Sequence, residues 1–401
     1  MIAEVIQNGA VCVAGWPASF SMPHCLGSHP GDPVHADVGD VARRRRRRWD
    51  LWLCVPGSFG DSVLLAGVLE GPQVAVAGAG VPGSRCGRAE NKMKAVVCTG
   101  YGPPQVLQLR EVAKPVPGDS EVLVKIRATA VTASDIFIRG SELPWRSRIP
   151  MRVMIGLTKP RRAVIGLVLA GEIESAGKNA KRFKVGDQVY GVTGFDLGAY
   201  AEYTCMKETD SRHGCLARKP AGISFEAATV AAYGGLLALQ YLEKGNLRRG
   251  QRVLIYGASG TCGTTAVQIA KHWGAHVTGV CSTANLELVT SLGADLVIDY
   301  TTQDAPGRGM RFDLILDAVG RMKTSKLKQA CREALSPAGR YVSIDDGALK
   351  LDSGRLAVLT GLVEAGRVHP VIDRCYPLEK IVEAHSFVGE GHKKGGVAIT
   401  I

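Results

Sequence analysis

The sequence predicts an α/β protein in which a β-rich region precedes a doubly wound parallel sheet. Three observations carry that prediction. The run RVLIYGASGTCGTTAVQIAKHWGAHVTGV, ending at Val280, reads as apolar strand, glycine turn, apolar-periodic helix and second strand. After it, apolar strands at 296–299, 312–319 and 340–344 alternate with helical stretches at 284–292 and 324–335, the alternation of a parallel sheet covered by helices. Before it, β-branched or alternating runs at 94–98, 106–111, 121–130, 164–176 and 188–192 are separated by Gly and Pro turns.

Composition sets the bounds. The chain has 401 residues, 46% hydrophobic and 21% charged, which is room for two domains and a sizeable core. No apolar run reaches the roughly 18–20 residues that cross a bilayer, so no membrane partner is expected. Eleven cysteines include no C-x-x-C pair, which signals neither a zinc ribbon nor a redox motif. Reduced thiols in a cytoplasmic protein are the economical reading. Residues 1–92 stand apart. They are rich in Gly, Pro, Val and Ala, lack periodicity, and carry the arginine run Arg43 to Arg48. Nine basic against eight acidic residues there leave most of the net charge of +12 to the rest of the chain. The segment is no secretory signal. It is expected to be an extension without a stable fold, with the folded protein beginning at Met93 and the arginines a solvated charge run. The alternative use of that run is a nucleic-acid or membrane-surface patch.

The glycine turn gives the first chemistry. Gly257 permits the tight reversal, Gly260 lets backbone N–H groups approach a pyrophosphate, and Gly263 lets helix and strand pack closely. With Ala258, Thr261 and Cys262 these residues are the expected dinucleotide contacts, at a helix end that carries partial positive charge. The alternative is an ordinary βα turn that binds no nucleotide. Ligands of a doubly wound sheet lie beyond the strand C-termini, so 257–263, 281–285, Tyr300 and 318–320 should converge. The second strand ends in Cys281-Ser282-Thr283-Ala284-Asn285, with no carboxylate for a ribose 2′-OH. Ser282 and Thr283 can donate to a 2′-phosphate, which favours NADPH with NADH possible, although Ala284 and Asn285 supply no cation. Cys262 is either a thiol of lowered pKa, prone to oxidation, or a packing residue of the turn. His213, His276, His369, His385 and His392 form no spaced ligand set, and most are expected at the surface.

Longer stretches point to a family. GLVLAGEIESAGKNAKRFKVGDQVYG at 166–191, the GASGTCG turn, the opening MKAVVCTGYGPPQVLQLREV and the close YPLEKIVEAHSFVGEGHKKGGVAITI resemble the medium-chain dehydrogenase/reductase superfamily. Within it the chain is most similar to the zinc-independent quinone oxidoreductase-like branch, over 93–401. The resemblance implies a GroES-like catalytic domain at 93–219, completed by 346–401, and a Rossmann NADP-binding domain at 220–345. It also implies an active site in the cleft between them and a homodimer. Where zinc-dependent members place their ligands, this chain has Ala133-Ser134-Asp135, Gly166-Leu167-Val168 and Ala231-Ala232-Tyr233-Gly234-Gly235, so no metal is expected. The substrate must then accept hydride with help from hydrogen bonds alone. Quinones and activated alkenes such as enones qualify.

The same resemblance places Ser134 and Asp135 beside the nicotinamide. Ser134 would orient substrate or carboxamide, and Asp135 would do likewise or cap the following helix. Tyr233 is a proton donor or a structural ring. Tyr300 matches a position near the adenosine phosphate, and Ala318, Val319 and Gly320 match the loop at the nicotinamide ring. Lys394 either approaches the cofactor or lies at the surface. Two other functions stay open: an NADP-binding regulatory or nucleic-acid-interacting protein acting through Arg43 to Arg48, and a carbonyl or alcohol dehydrogenase.

Overall fold

A computed structural model describes residues 52–55, 63–66, 92–140, 149, 152, 153, 155–321 and 323–401. The chain divides into two compact units, Val13–Arg88 and Met1–Cys12 with Ala89–Ile401. In the first, β1 (Trp52–Val55) pairs antiparallel with β2 (Val63–Ala66). The expectation for the remainder of 1–91, including Arg43 to Arg48, lies outside the described residues.

In the larger unit the alternation of buried and exposed residues in β3 (Lys92–Cys98) pairs it with β4 (Leu107–Ala113). There follow β5 (Glu121–Val131), α1 (Ala133–Arg139), β6 (Val168–Ala176), β7 (Gln188–Val192), β8 (Tyr203–Lys207) and β9 (Cys215–Arg218). Helix α2 (Phe225–Lys244) leads to β10 (Arg252–Tyr256), α3 (Thr261–His272), β11 (His276–Cys281), α4 (Leu286–Ser291) and β12 (Leu296–Asp299). Then come β13 (Phe312–Asp317), α5 (Lys326–Glu333), β14 (Leu335–Ser343), α6 (Ser353–Glu364), β15 (Ile372–Pro377), α7 (Ile381–Glu390) and β16 (Gly396–Thr400).

Strands β10 to β14 form one parallel sheet in the order β12-β11-β10-β13-β14. The chain moves outward from β10 to β12 and returns beside β10 at β13, so the strand order reverses at the C-terminal end of β10. That is where a ligand crevice forms in such sheets. A second sheet runs β15-β16-β5-β6-β7-β9, with β8 also paired to β5. Its β16 lies antiparallel to β5, with Val397 opposite Val131, so the last strand of the chain completes a sheet begun at residue 121. Helix α2 is buried along most of its length, packed against α3 and α6 and against strands β5, β6, β7 and β16 of the second sheet. A Cβ on Gly234 would lie 2.6 Å from the Thr261 carbonyl oxygen, and one on Gly235 would overlap Leu359. These glycines bring α2 against the start of α3 and against α6, and thereby set Tyr233 at the crevice.

Boundaries moved from expectation for local reasons. The strand expected at 312–319 ends at Asp317, whose side chain turns back to the amides of Val319 and Gly320. The helix expected at 284–292 begins with a short 3₁₀ turn, Thr283–Asn285, before α4.

Candidate active site

The three turn glycines are glycines for different reasons. Gly257 has φ +84°, and a Cβ there would overlap Val319; a Cβ on Gly263 would overlap the Gly257 carbonyl. The protein's own packing demands both. Gly260 has an ordinary φ of −80°, and its Cβ would meet only the Gly257 oxygen, at 3.6 Å. Neither strain nor packing requires glycine at this position. An open approach to the backbone remains beside the N-terminus of α3, where no side chain caps the helix and the first turn holds no acid. Unpaired N–H groups and open space together fit a pyrophosphate. Ala258 is fully buried under the turn.

The C-terminal segment closes over this turn. Gly395 N donates to the Ser259 carbonyl at 2.7 Å, and Gly260 and Gly395 form a parallel bridge. Thr261 Oγ1 donates to the Gly395 carbonyl at 2.7 Å and accepts from Lys393 Nζ, which also donates to the Gly395 carbonyl at 2.6 Å. Burial lowers the Lys393 ammonium to about 8, against a raising contribution from Asp373. Lys393 was not singled out by the sequence reading. Of the two uses left open for Cys262, the structure displays packing: burial pushes its thiol up to about 12, so desolvation outweighs the helix end and the residue packs the core.

At the C-terminal end of β11, Asn285 Nδ2 reaches Ser282 Oγ at 3.1 Å and Ser259 Oγ at 3.2 Å, joining this loop to the glycine turn. Thr283 is not free to donate elsewhere. Its hydroxyl donates to Asp299 Oδ2 at 2.5 Å and lies 2.7 Å from Thr301 Oγ1. The expectation of no carboxylate at this loop is therefore corrected: Asp299 arrives from β12, in register with Cys281. Hydrogen bonds from Thr283 and Thr301 hold the Asp299 carboxyl below its ordinary pKa. The missing cation also arrives from elsewhere, since Lys394 Nζ donates to the Ala284 carbonyl at 3.2 Å. Tyr300 is 47% exposed at the end of β12, its amide bonded to the Cys281 carbonyl.

The turn after β13 is built on a buried ion pair. Asp317 is fully buried, its Oδ1 accepts from Val319 N and Gly320 N at 3.2 Å, and its Oδ2 lies 2.7 Å from Lys328 Nζ. Tyr341 Oη donates to Oδ2 at 2.6 Å, and Lys328 Nζ donates to the Gly320 carbonyl at 2.6 Å. Ala318 N donates to the Tyr256 carbonyl at 2.9 Å. Ala318, Val319 and Gly320 thus stand beside Gly257, as the strand order requires.

Ser134 and Tyr233 share one wall of a cavity of about 310 Å³, with Leu167, Phe195, Leu237 and Leu351 among its apolar lining. Their hydroxyls lie 2.7 Å apart. Burial pushes the Tyr233 phenol up to about 12, so it keeps its proton at neutral pH. Asp135 does not line this cavity. Its Oδ2 accepts from Thr132 N at 2.8 Å and from Thr132 Oγ1 at 2.6 Å, and Asp135 N donates to that hydroxyl, a reciprocal cap on α1. Of the two uses left open for Asp135, the structure displays the cap. Burial raises its carboxyl to about 6. Of the five histidines singled out in the sequence, His385 is the buried one, with Nε2 3.1 Å from Tyr200 Oη, and burial lowers its imidazole to about 3. Among the described residues no group of three His, Cys, Asp or Glu is arranged to hold a metal ion.

Comparison with known proteins places this geometry. The alcohol dehydrogenase GroES-like domain matches residues 118–220, and zinc-binding dehydrogenase profiles match 261–360 and 347–399. A 2-methylene-furan-3-one reductase of Solanum lycopersicum is 32% identical over 329 residues, covering 77% of this chain and 79% of that protein. The chain belongs to the medium-chain dehydrogenase/reductase superfamily. A second member, the chloroplastic NADPH-dependent alkenal/one oxidoreductase of Arabidopsis thaliana, is 30% identical over 77% of this chain and 79% of its own length. The quinone oxidoreductase structure from Coxiella burnetii superposes with a TM-score of 0.65 at 24% identity, over 77% of this chain and 99% of that one, and shares the superfamily fold.

Proposed function

We propose that this dehydrogenase/reductase is an NADPH-dependent enzyme that reduces quinones or activated alkenes, enones above all, by hydride transfer without zinc. The observation that carries the proposal is the open Gly260 backbone at an uncapped helix end, with Lys393 against Thr261. The pyrophosphate of a dinucleotide would lie on 257–263, and Lys393 would offset its charge. The adenosine ribose would lie among Ser282, Tyr300 and Lys394. Asp299 opposes a 2′-phosphate there, but it already accepts from two threonine hydroxyls and the Thr301 amide. A lysine donating to phosphate contributes roughly 1.5–3 kcal/mol, which supports NADPH over NADH.

Bound nicotinamide supplies the hydride. The chain's own residues polarise the acceptor. Ser134 and Tyr233 form a hydroxyl pair in an apolar cavity, placed to donate to a carbonyl oxygen as it gains negative charge. On an enone the hydride would add at the β-carbon, the hydroxyl pair would steady the enolate oxygen so formed, and a proton from solvent would then reach the α-carbon. Ala133 to Asp135 and Gly166 to Val168 offer no Cys or His where zinc-dependent members hold metal, which supports the metal-free reading. The names of the tomato and Arabidopsis relatives, reductases of an activated alkene and of alkenals or alkenones, support the substrate class. The same proposal includes a catalytic domain of 93–219 with 346–401, a nucleotide domain of 220–345, a homodimer and a cytoplasmic location.

Cofactor oxidation measured across a panel of quinones, enones, saturated aldehydes and alcohols tests this reading. Turnover is expected with quinones and enones, faster with NADPH than NADH, and insensitive to chelators. Gly260→Val should abolish NADPH binding while the circular dichroism spectrum is kept. Tight binding by that variant, or chelator-sensitive alcohol oxidation by the parent, would overturn it.

A further inference from the structure

The cavity beside Ser134 and Tyr233 has one feature that reduction of a neutral enone does not use. Two cationic side chains, Arg212 and Lys350, line it, and among the described residues no Asp or Glu does. Neither cation forms an ion pair among the described residues. Exposed cations are commonplace on a protein of net charge +12, so their presence alone decides nothing. Their mounting does.

Arg212 sits in a tight turn whose ends, Ser211 and Gly214, exchange backbone hydrogen bonds of 3.0 and 3.1 Å. Phe195 N donates to the Arg212 carbonyl at 3.0 Å, and a side chain on Gly194 would overlap that carbonyl, so two cavity-lining residues hold the arginine backbone. Its Nε donates to His213 Nε2 at 3.2 Å, and His213 Nδ1 lies 3.0 Å from Asp196 Oδ1. The imidazole, with its Nδ1 proton toward Asp196, orients the guanidinium without neutralising it. Lys350 is mounted from the other side. Gln240, buried on α2, accepts from Lys350 N at 2.7 Å and donates to the Ala348 carbonyl at 3.0 Å. Helix α2 also carries Tyr233, so one rigid element fixes both the hydroxyl pair and the lysine loop.

Resting on the reductase reading above, we propose that the cavity selects activated alkenes that carry an anionic group, with Arg212 and Lys350 as the specificity-determining residues. The electrophilic end would meet Ser134 and Tyr233, an apolar body would lie against Leu167, Leu237 and Leu351, and a carboxylate or phosphate ester would meet the two cations. Same-sign charges on a low-dielectric wall concentrate their field on an incoming anion and raise its capture rate.

The test uses the full-length enzyme with NADPH and three enones of equal chain length: one neutral, one ending in a carboxylate, one in a phosphate ester. The anionic enones should exceed the neutral one in kcat/KM by about tenfold or more at low salt, chiefly through KM, and the advantage should shrink as salt rises. The two anionic arms distinguish which group the site prefers. Arg212→Gln and Lys350→Gln should each lower the anionic-to-neutral ratio of kcat/KM by about tenfold, the scale of one charged hydrogen bond. Arg212→Lys should restore part of it. Equal turnover of all three enones by the parent, or a ratio unchanged in Arg212→Gln/Lys350→Gln, overturns the proposal. If no enone or quinone is turned over, the reductase reading is what has failed. Calorimetric binding of octanoate against octanol then decides the anion site by itself: preference for octanoate, lost in the double variant, upholds it, and equal binding overturns it.

Discussion

Lys393 is a lysine whose ordinary pKa is near 10.4, held near 8 by burial against the phosphate turn. Between about pH 8 and 10.4 the unfolded chain keeps a proton that the folded one releases. The depressed value therefore costs stability below pH 8, and stability rises as pH climbs through that window. Cofactor binding runs the other way, because an anionic pyrophosphate favours the charged amine. NADPH affinity should weaken as pH rises through about 8, and Lys393→Met should flatten that dependence; fluorescence titration of NADPH across the window checks it. GHKKGG alone marked Lys394, because a run of lysines says nothing about which side chain turns inward. The glycine turn, Ser134 and Tyr233 of the candidate site were legible from spacing or family position, and the last two do line one cavity. Asp299 was not, because its approach to Thr283 depends on the register of two strands 18 residues apart. For Cys262 the helix-end argument and desolvation pull in opposite directions, and desolvation is the larger effect for a buried thiol.

At the level of elements, the turn after β13 and the start of α1 are both fixed by a buried aspartate, with different energetic consequences. Asp317 is paired with Lys328 in the interior, so Asp317→Ala leaves an uncompensated ammonium and should cost about 3–5 kcal/mol in chemical denaturation. Loss of the Thr132 cap by Thr132→Ala should cost only about 1 kcal/mol by the same measurement. A cost for Asp317→Ala no larger than that of the cap would show that the turn is held by its backbone alone. Side-chain bonds of this kind also explain where element boundaries departed from periodicity. Asp317 ends β13 two residues before its apolar run does, and Ser282 with Asn285 delays α4. Hydrophobic pattern sees burial, and these stops are made by polar atoms.

For the whole molecule, the parallel sheet followed from alternation, whereas the second sheet closes through β16, which begins at Gly396, 275 residues after its pairing partner β5 begins at Glu121. Local pattern does not say which sheet the last strand enters; the family resemblance, which returns 346–401 to the GroES-like domain, supplied that. The bridge between Gly260 and Gly395 acquires a meaning here. One strand-end of each sheet meets its counterpart at the phosphate turn, and Gly395 itself need touch no ligand. A dinucleotide held by the turn removes open states in which that amide meets water, by the ordinary linkage between binding and local opening. Hydrogen exchange at Gly395 should slow in proportion to NADPH occupancy, while exchange in β9, remote from the turn in strand order, should not change; equal rates with and without NADPH would break the connection. The Gly395 amide then works as a built-in gauge, reporting from the catalytic sheet how full the nucleotide sheet is.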